Sequence, residues 1–249
     1  MVLLAVIVFI AFLVEAAAGF GSVVVAMTVG ALWFPVSSLL AWLVPVNVVL
    51  SVYLVARGRD FLDWRFLGRR MLPLMAVGLA VGTAVASRAA EAPWLKPAFG
   101  FFVVGVAAWQ LRSALAAQAR KQSMSESARV VALLGAGVIH GIYATGGPLA
   151  VLVAARELDD KASFRATLSA LWVVLNVLVI FRLVGQGEVT TATLGTSAVM
   201  LAPLALGIAA GEWVHHRLDE QRFRVLVGAL LLAAGAVLVV KSVAEVLPA

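Results

Sequence analysis

Apolar residues fill eight segments of this chain, near 2–33, 36–56, 67–87, 97–115, 129–155, 164–184, 193–214 and 223–244, with polar residues gathered at the joints between them. Apolar runs of about 18 residues or more read as bilayer-crossing helices. The longest uncharged run, Ala16 to Ala56, covers 41 residues and has Glu15 at its head. Two segments differ from the others. Gly19-Phe20-Gly21 interrupts the first, and Thr145-Gly146-Gly147-Pro148 interrupts the fifth. Glycine favours a broken backbone, and proline suits the first positions of a restarting helix. Thr145 is placed to cap that restart with its hydroxyl.

The second half of the chain repeats the first. Glu15 and Gly21 match His140 and Gly146 at an offset of 125, while Asn47, Gly78 and Gly82 match Asn176, Gly207 and Gly211 at 129. The fold class expected is therefore an all-α integral membrane protein of two repeats, 1–125 and 126–249, in one compact membrane domain. Basic residues fix the orientation. Loop 2–3 carries Arg57, Arg59, Arg65, Arg69 and Arg70; loop 4–5 carries Arg120, Lys121 and Arg129; loop 5–6 carries Arg156, Lys161 and Arg165; loop 7–8 carries Arg217, Arg222 and Arg224. The positive-inside rule places all four in the cytoplasm, which requires the fifth segment to enter and return as a hairpin. Treating the first segment alike leaves three crossings per half and inverts the second copy. The sequence thus predicts six full spans plus two re-entrant, glycine-broken elements, with eight plain crossings as the alternative.

Composition agrees with a membrane setting. Hydrophobic residues make up 63% and charged residues 13%, against about 25% charged in a soluble globular domain. No polar stretch is long enough for a separate soluble domain. The net charge of +6 lies in the interhelical clusters, a loop pattern and not a nucleic-acid footprint. Met1 to Val14 lacks the basic start of a signal peptide and is read as the beginning of the first membrane segment. Cysteine is absent, so disulfides and thiolate metal sites are excluded. Glu212, His215 and His216 read as a wet helix end, not a metal site. No nucleotide loop, nucleophile elbow or dinucleotide fingerprint is present, so no enzyme activity, metal or cofactor is expected.

The chemistry points to the two breaks. Ionisable groups at membrane depth are costly and by default functional, which singles out Glu15 and His140 as proton-coupling residues. Broken helices turn the positive ends of half-helices toward anionic substrates. Gly19, Gly21, Ser22, Gly146 and Gly147 supply such ends with little bulk, and Tyr143 and Thr145 add hydroxyl donors. Asn47 and Asn176 fall near the middles of spans two and six, where amides orient a substrate or bond across helices. Arg165, Ser169, Trp172 and Asn176 share one helical face. Arg182 can receive an anion or reach for lipid headgroups, and the second reading is preferred. Gly78 and Gly82, with Gly207 and Gly211, read as helix-packing scaffold.

The segments Glu15 to Ser22 and His140 to Pro148 resemble the paired glycine-rich motifs of the sulfite exporter TauE/SafE family of membrane proteins, over nearly the whole chain. The resemblance implies export of a small anion such as sulfite or an organosulfonate, for example sulfoacetate, across the bacterial inner membrane. It also implies secondary transport driven by protons. Residue chemistry alone reaches a proton-coupled anion transporter working by alternating access, with the substrate held between the breaks, and does not reach sulfur. Its partners would be the anion, protons and membrane lipid, without nucleic acid; a homodimer is compatible with this reading. A passive anion channel and a non-transport membrane assembly factor are the alternatives.

Overall fold

The computed structural model describes residues 1–18, 21–88, 92–115, 124–158, 160–215 and 220–246, and every regular element among them is helical. The helices are α1 (Val2–Ala18), α2 (Ser22–Gly30), α3 (Val36–Gly58), α4 (Trp64–Arg88, with a π-turn at Leu67–Met71), α5 (Leu95–Leu115), α6 (Glu126–Tyr143), α7 (Gly147–Glu157), α8 (Lys161–Gly185), α9 (Thr191–His215) and α10 (Glu220–Val246). Both expected interruptions exist, between α1 and α2 and between α6 and α7. Among the described residues, five helices are long and apolar enough to cross a bilayer: Val36–Phe61, Trp64–Arg88, Ala162–Gly185, Thr191–Gly211 and Val225–Glu245. The helix α5, expected as a sixth span, is not among these five; its side chains are described only as far as Arg112.

The chain forms two compact units: residues 1–39, 89–120 and 198–249, and residues 40–88 and 121–197. Each unit draws on both halves of the sequence. In the first unit α9 lies on α1 through glycine. A Cβ at Gly207 would stand 2.7 Å from the Phe9 carbonyl oxygen, and one at Gly211 would stand 2.5 Å from that of Leu13. Also in this unit, α5 and α10 pack along Gly100, Gly228 and Gly235, and α2 packs on α1.

In the second unit α4 lies on α6. A Cβ at Gly78 or Gly82 would run into the backbone of Leu134 or Val138, and one at Gly137 or Gly141 would run into that of α4. Small residues let the two backbones meet, which is how helices associate where lipid removes the hydrophobic incentive. The helix α7 doubles back along α6: Leu149 lies beside Gly135, and Gly146 sits against Ala136 and His140. Glu157, the last residue of α7, receives Arg129 from the start of α6 at 2.6 Å and Arg70 of α4 at 3.7 Å. The fifth sequence segment is therefore a hairpin whose two ends meet at the arginine-rich end of this unit. At that same end the Asp63 N–H donates to Thr167 Oγ1 of α8, and Gly58 abuts Ala166.

Candidate functional site

Four elements of the second unit converge on the break between α6 and α7. The helix α6 ends with His140 and Tyr143 buried, and Ala144 closes it in the left-handed region at φ 53°, its N–H donating to the His140 carbonyl at 2.8 Å. A non-glycine residue there is strained, and such strain concentrates at functional sites. Gly146 stands at the cap of α7, with no side-chain cap bond. Thr145 therefore does not cap the restart as expected; its hydroxyl is buried and has no hydrogen-bond partner among the described residues. Alanine is excluded at Gly146, where a Cβ would strike the Ala136 carbonyl and lie 2.9 Å from the His140 Cβ. At Gly147 the nearest atom is Trp172 Cζ2 at 3.9 Å, so the first turn of α7 is open to approach. Its Gly147 and Leu149 amides have no intrahelical acceptor, and Pro148 has no N–H to satisfy.

The helices α3 and α8, the most buried of the five spans, supply the other walls. Asn176 Nδ2 donates to Asn47 Oδ1 at 2.8 Å, and Ser51 Oγ donates to the same oxygen at 3.3 Å. The two asparagines thus meet across the helices, and the bond leaves Asn176 Oδ1 buried without a partner among the described residues. Trp172, one turn earlier on α8, stacks on His140 with ring centroids 5.5 Å apart and an interplanar angle of 16°. The Asn176 amide adjoins the imidazole, yet neither ring nitrogen makes a hydrogen bond of ordinary geometry to a described residue. Arg182 turns inward, contrary to the headgroup reading, and its Nη1 donates to the Gly141 carbonyl, capping the end of α6. Four orphaned polar atoms thus lie around one helix start: both His140 ring nitrogens, Thr145 Oγ1 and Asn176 Oδ1. Leaving each such group unsatisfied costs about 1–3 kcal/mol.

The first unit builds its break differently. Gly21 takes φ 106° and ψ 0°, a left-handed turn that glycine adopts without strain. Glu15 reaches across it, and the Ser22 N–H donates to Glu15 Oε2 at 3.0 Å, with both residues buried. The carboxylate lies at the positive end of α2, where a negative charge is stabilised. The Ser22 amide, expected to face substrate, is taken by this carboxylate. Gly19 lies outside the described residues, as do the side chains of Glu212, His215 and His216. No cluster with metal-ligand character occurs among the described residues.

Of the residues singled out by sequence, His140, Tyr143, Thr145, Gly146, Gly147, Asn47 and Asn176 belong to the second unit, while Glu15, Gly21 and Ser22 form the constellation of the first. Sequence reasoning placed Trp172 on the right helical face without its stacking partner. It missed the strained Ala144, for which alanine gives no signal.

A helix break with buried polar groups gathered beside it is an arrangement that membrane transporters use to hold anions. The sequence comparisons agree. Residues 3–238 match the sulfite exporter TauE/SafE family, and the chain belongs to that family. It is similar to the probable inner membrane transporter protein TsaS of Comamonas testosteroni, 26% identical over 173 residues, which span 69% of this chain and 70% of that protein. No solved structure matches the chain.

Proposed function

We propose that the chain is a secondary transporter that exports a small sulfur oxyanion, sulfite or an organosulfonate, across the bacterial inner membrane in company with a proton. The family supports the substrate class, and the relative from Comamonas supports the membrane. The observation that carries the reading is the set of buried atoms at the start of α7 that have no partner among the described residues: His140 Nδ1 and Nε2, Thr145 Oγ1 and Asn176 Oδ1.

Together these atoms ask for an anion and a proton at once. The Thr145 hydroxyl and the Gly147 and Leu149 amides are donors suited to anion oxygens. Asn47 and Tyr143 complete the lining. Asn176 Oδ1 is an acceptor, which an anion alone cannot satisfy. A protonated imidazole resolves the mismatch, because both of its nitrogens donate: one N–H serves Asn176 Oδ1 and the other an anion oxygen. Proton and anion then bind in each other's presence and neutralise each other, which is the requirement for coupled movement.

Glu15 gives the second proton-linked step. Its protonation weakens the charge-assisted bond to Ser22 and loosens the α1–α2 turn, with Gly21 as the hinge. Inverted symmetry between the halves would let this step and the His140 step alternate access to the two membrane faces.

The reading is tested with purified protein in liposomes, using radiolabelled sulfite. Sulfite flux should follow an imposed pH gradient, and Glu15→Gln should abolish that dependence while sulfite binding at low pH survives. Sulfite flux in the wild type that ignores the gradient would leave a passive channel in its place.

A further inference from the structure

Beyond the cluster at the start of α7, a second pair of buried donors lies on the other side of the α6 terminus. Thr83 is on α4, and its backbone nitrogen would come within 2.8 Å of a Cβ on Gly141. Its hydroxyl is buried and has no hydrogen-bond partner among the described residues. That is unusual for a helical hydroxyl, which commonly bonds back to the carbonyl four residues earlier. In this chain Thr28, Ser169, Thr196 and Ser242 all do so, to Val24, Arg165, Ala192 and Leu238. Thr83 forgoes that bond, and its backbone lies at the glycine-lined seam of α4 and α6.

Arg182 reaches the same glycine from α8. Its Nη1 is anchored on the Gly141 carbonyl, and its Nε is buried without a partner among the described residues. It makes no ion pair with a described carboxylate. Glu188, in the turn after α8, acts on it only as a nearby charge. A half-buried guanidinium held by a neutral carbonyl, with a free donor and no paired carboxylate, is an anion receptor awaiting its counter-charge. A cap on α6 would need only the Nη1 bond, and it explains neither the free Nε nor the idle hydroxyl on the opposite helix.

We propose that Thr83 and Arg182 form a second oxyanion seat beside Gly141, which takes the substrate between the central cluster and the membrane face opposite the arginine-rich end. Arg182 lies six residues beyond Asn176 on α8, about 9 Å along the helix axis. A small oxyanion leaving Thr145 and Gly147 would there exchange one set of donors for another. Two donors supplied by different helices suit a tetrahedral or pyramidal oxyanion better than a monovalent halide. The seat rests on the proposed transport of such an anion.

The experiment measures half-saturation for radiolabelled sulfite separately from each face of oriented proteoliposomes, for wild type, Thr83→Val, Thr83→Ser, Arg182→Lys and the double variant Thr83→Val/Arg182→Lys. Losing one hydrogen bond to a charged ligand costs about tenfold in affinity. Thr83→Val and Arg182→Lys should each raise half-saturation by about that factor from the face nearer Arg182, and by less than twofold from the arginine-rich face. Thr83→Ser should restore the wild-type value, and the double variant should lose less than the product of the single losses. Equal changes at both faces, or none for Thr83→Val, would overturn the seat. Wild-type protein that carries no sulfite would instead overturn the transport reading. If Arg182→Lys does not fold, the valine and serine variants at Thr83 decide the matter alone.

Discussion

The two breaks share a spacing and divide over chemistry. In each, the first residue of the short helix comes seven positions after a titratable side chain: Ser22 after Glu15, and Gly147 after His140. In the first break the side chain crosses the gap and takes the amide, so the positive end of α2 is answered by an anion of the protein itself. In the second the imidazole stays behind and stacks on Trp172, and α7 starts at Gly146 without a side-chain cap bond. One break is closed by a carboxyl group of the protein itself, and the other is the seat proposed above for an external anion. At matching sequence positions, Glu15 engages the start of its short helix and His140 does not.

The comparison can be broken most directly at the glycines. Gly146→Ala forces a methyl group into the Ala136 carbonyl and the His140 side chain. Overpacking of this kind costs about 3 kcal/mol, so sulfite flux and thermal stability should both collapse. Gly21→Ala meets no atom within 4 Å and bears only the left-handed backbone penalty, about 1–2 kcal/mol. A lowered unfolding temperature with retained sulfite binding is expected there. Equal losses for the two variants would show that the breaks are not distinguished by packing.

His140→Glu sharpens the point. It recreates in the second break the spacing by which Glu15 caps α2, and its carboxylate should capture the Gly147 amide. Sulfite binding should fall by about a hundredfold or more, as expected when an internal anion occupies a site built for an external one. The folded protein should survive, which a thermal melt would check. Undiminished sulfite binding would remove α7 from the site.

The smallest effect is expected at Ala144. Glycine there relieves the strained φ of 53° and should raise stability by less than about 1 kcal/mol. Slower transport would accompany it if the strain holds His140 in place. A melting temperature below wild type would refute the strain.

The breaks were legible because glycine and proline announce interrupted helices, and because charge in an uncharged segment announces function. The return of α7 was legible from the basic loops, since loops 4–5 and 5–6 share a side only if that segment doubles back. The meeting of Arg129, Glu157 and Arg70 brings the two ends of that segment together. Asn47 and Asn176 were legible as a pair, but the atom left over from their bond was not, because satisfaction is counted only in three dimensions. Thr145 misled for a related reason: its position favours a cap, and the sharp turn at Ala144 and Gly146 carries the hydroxyl away.

The exchange of glycine seams between the halves has a consequence for biosynthesis. When α6 and α7 emerge, α4 is already made and its flat glycine face can receive them at once. The glycine face of α9 that receives α1 follows much later in the chain, so α1 and α2 would precede their partner with the Glu15 carboxyl group at their turn. The bond from Ser22 to Glu15 would shelter that charge during the delay, which makes the amino-terminal hairpin self-sufficient in the interval when its younger counterpart has no need to be.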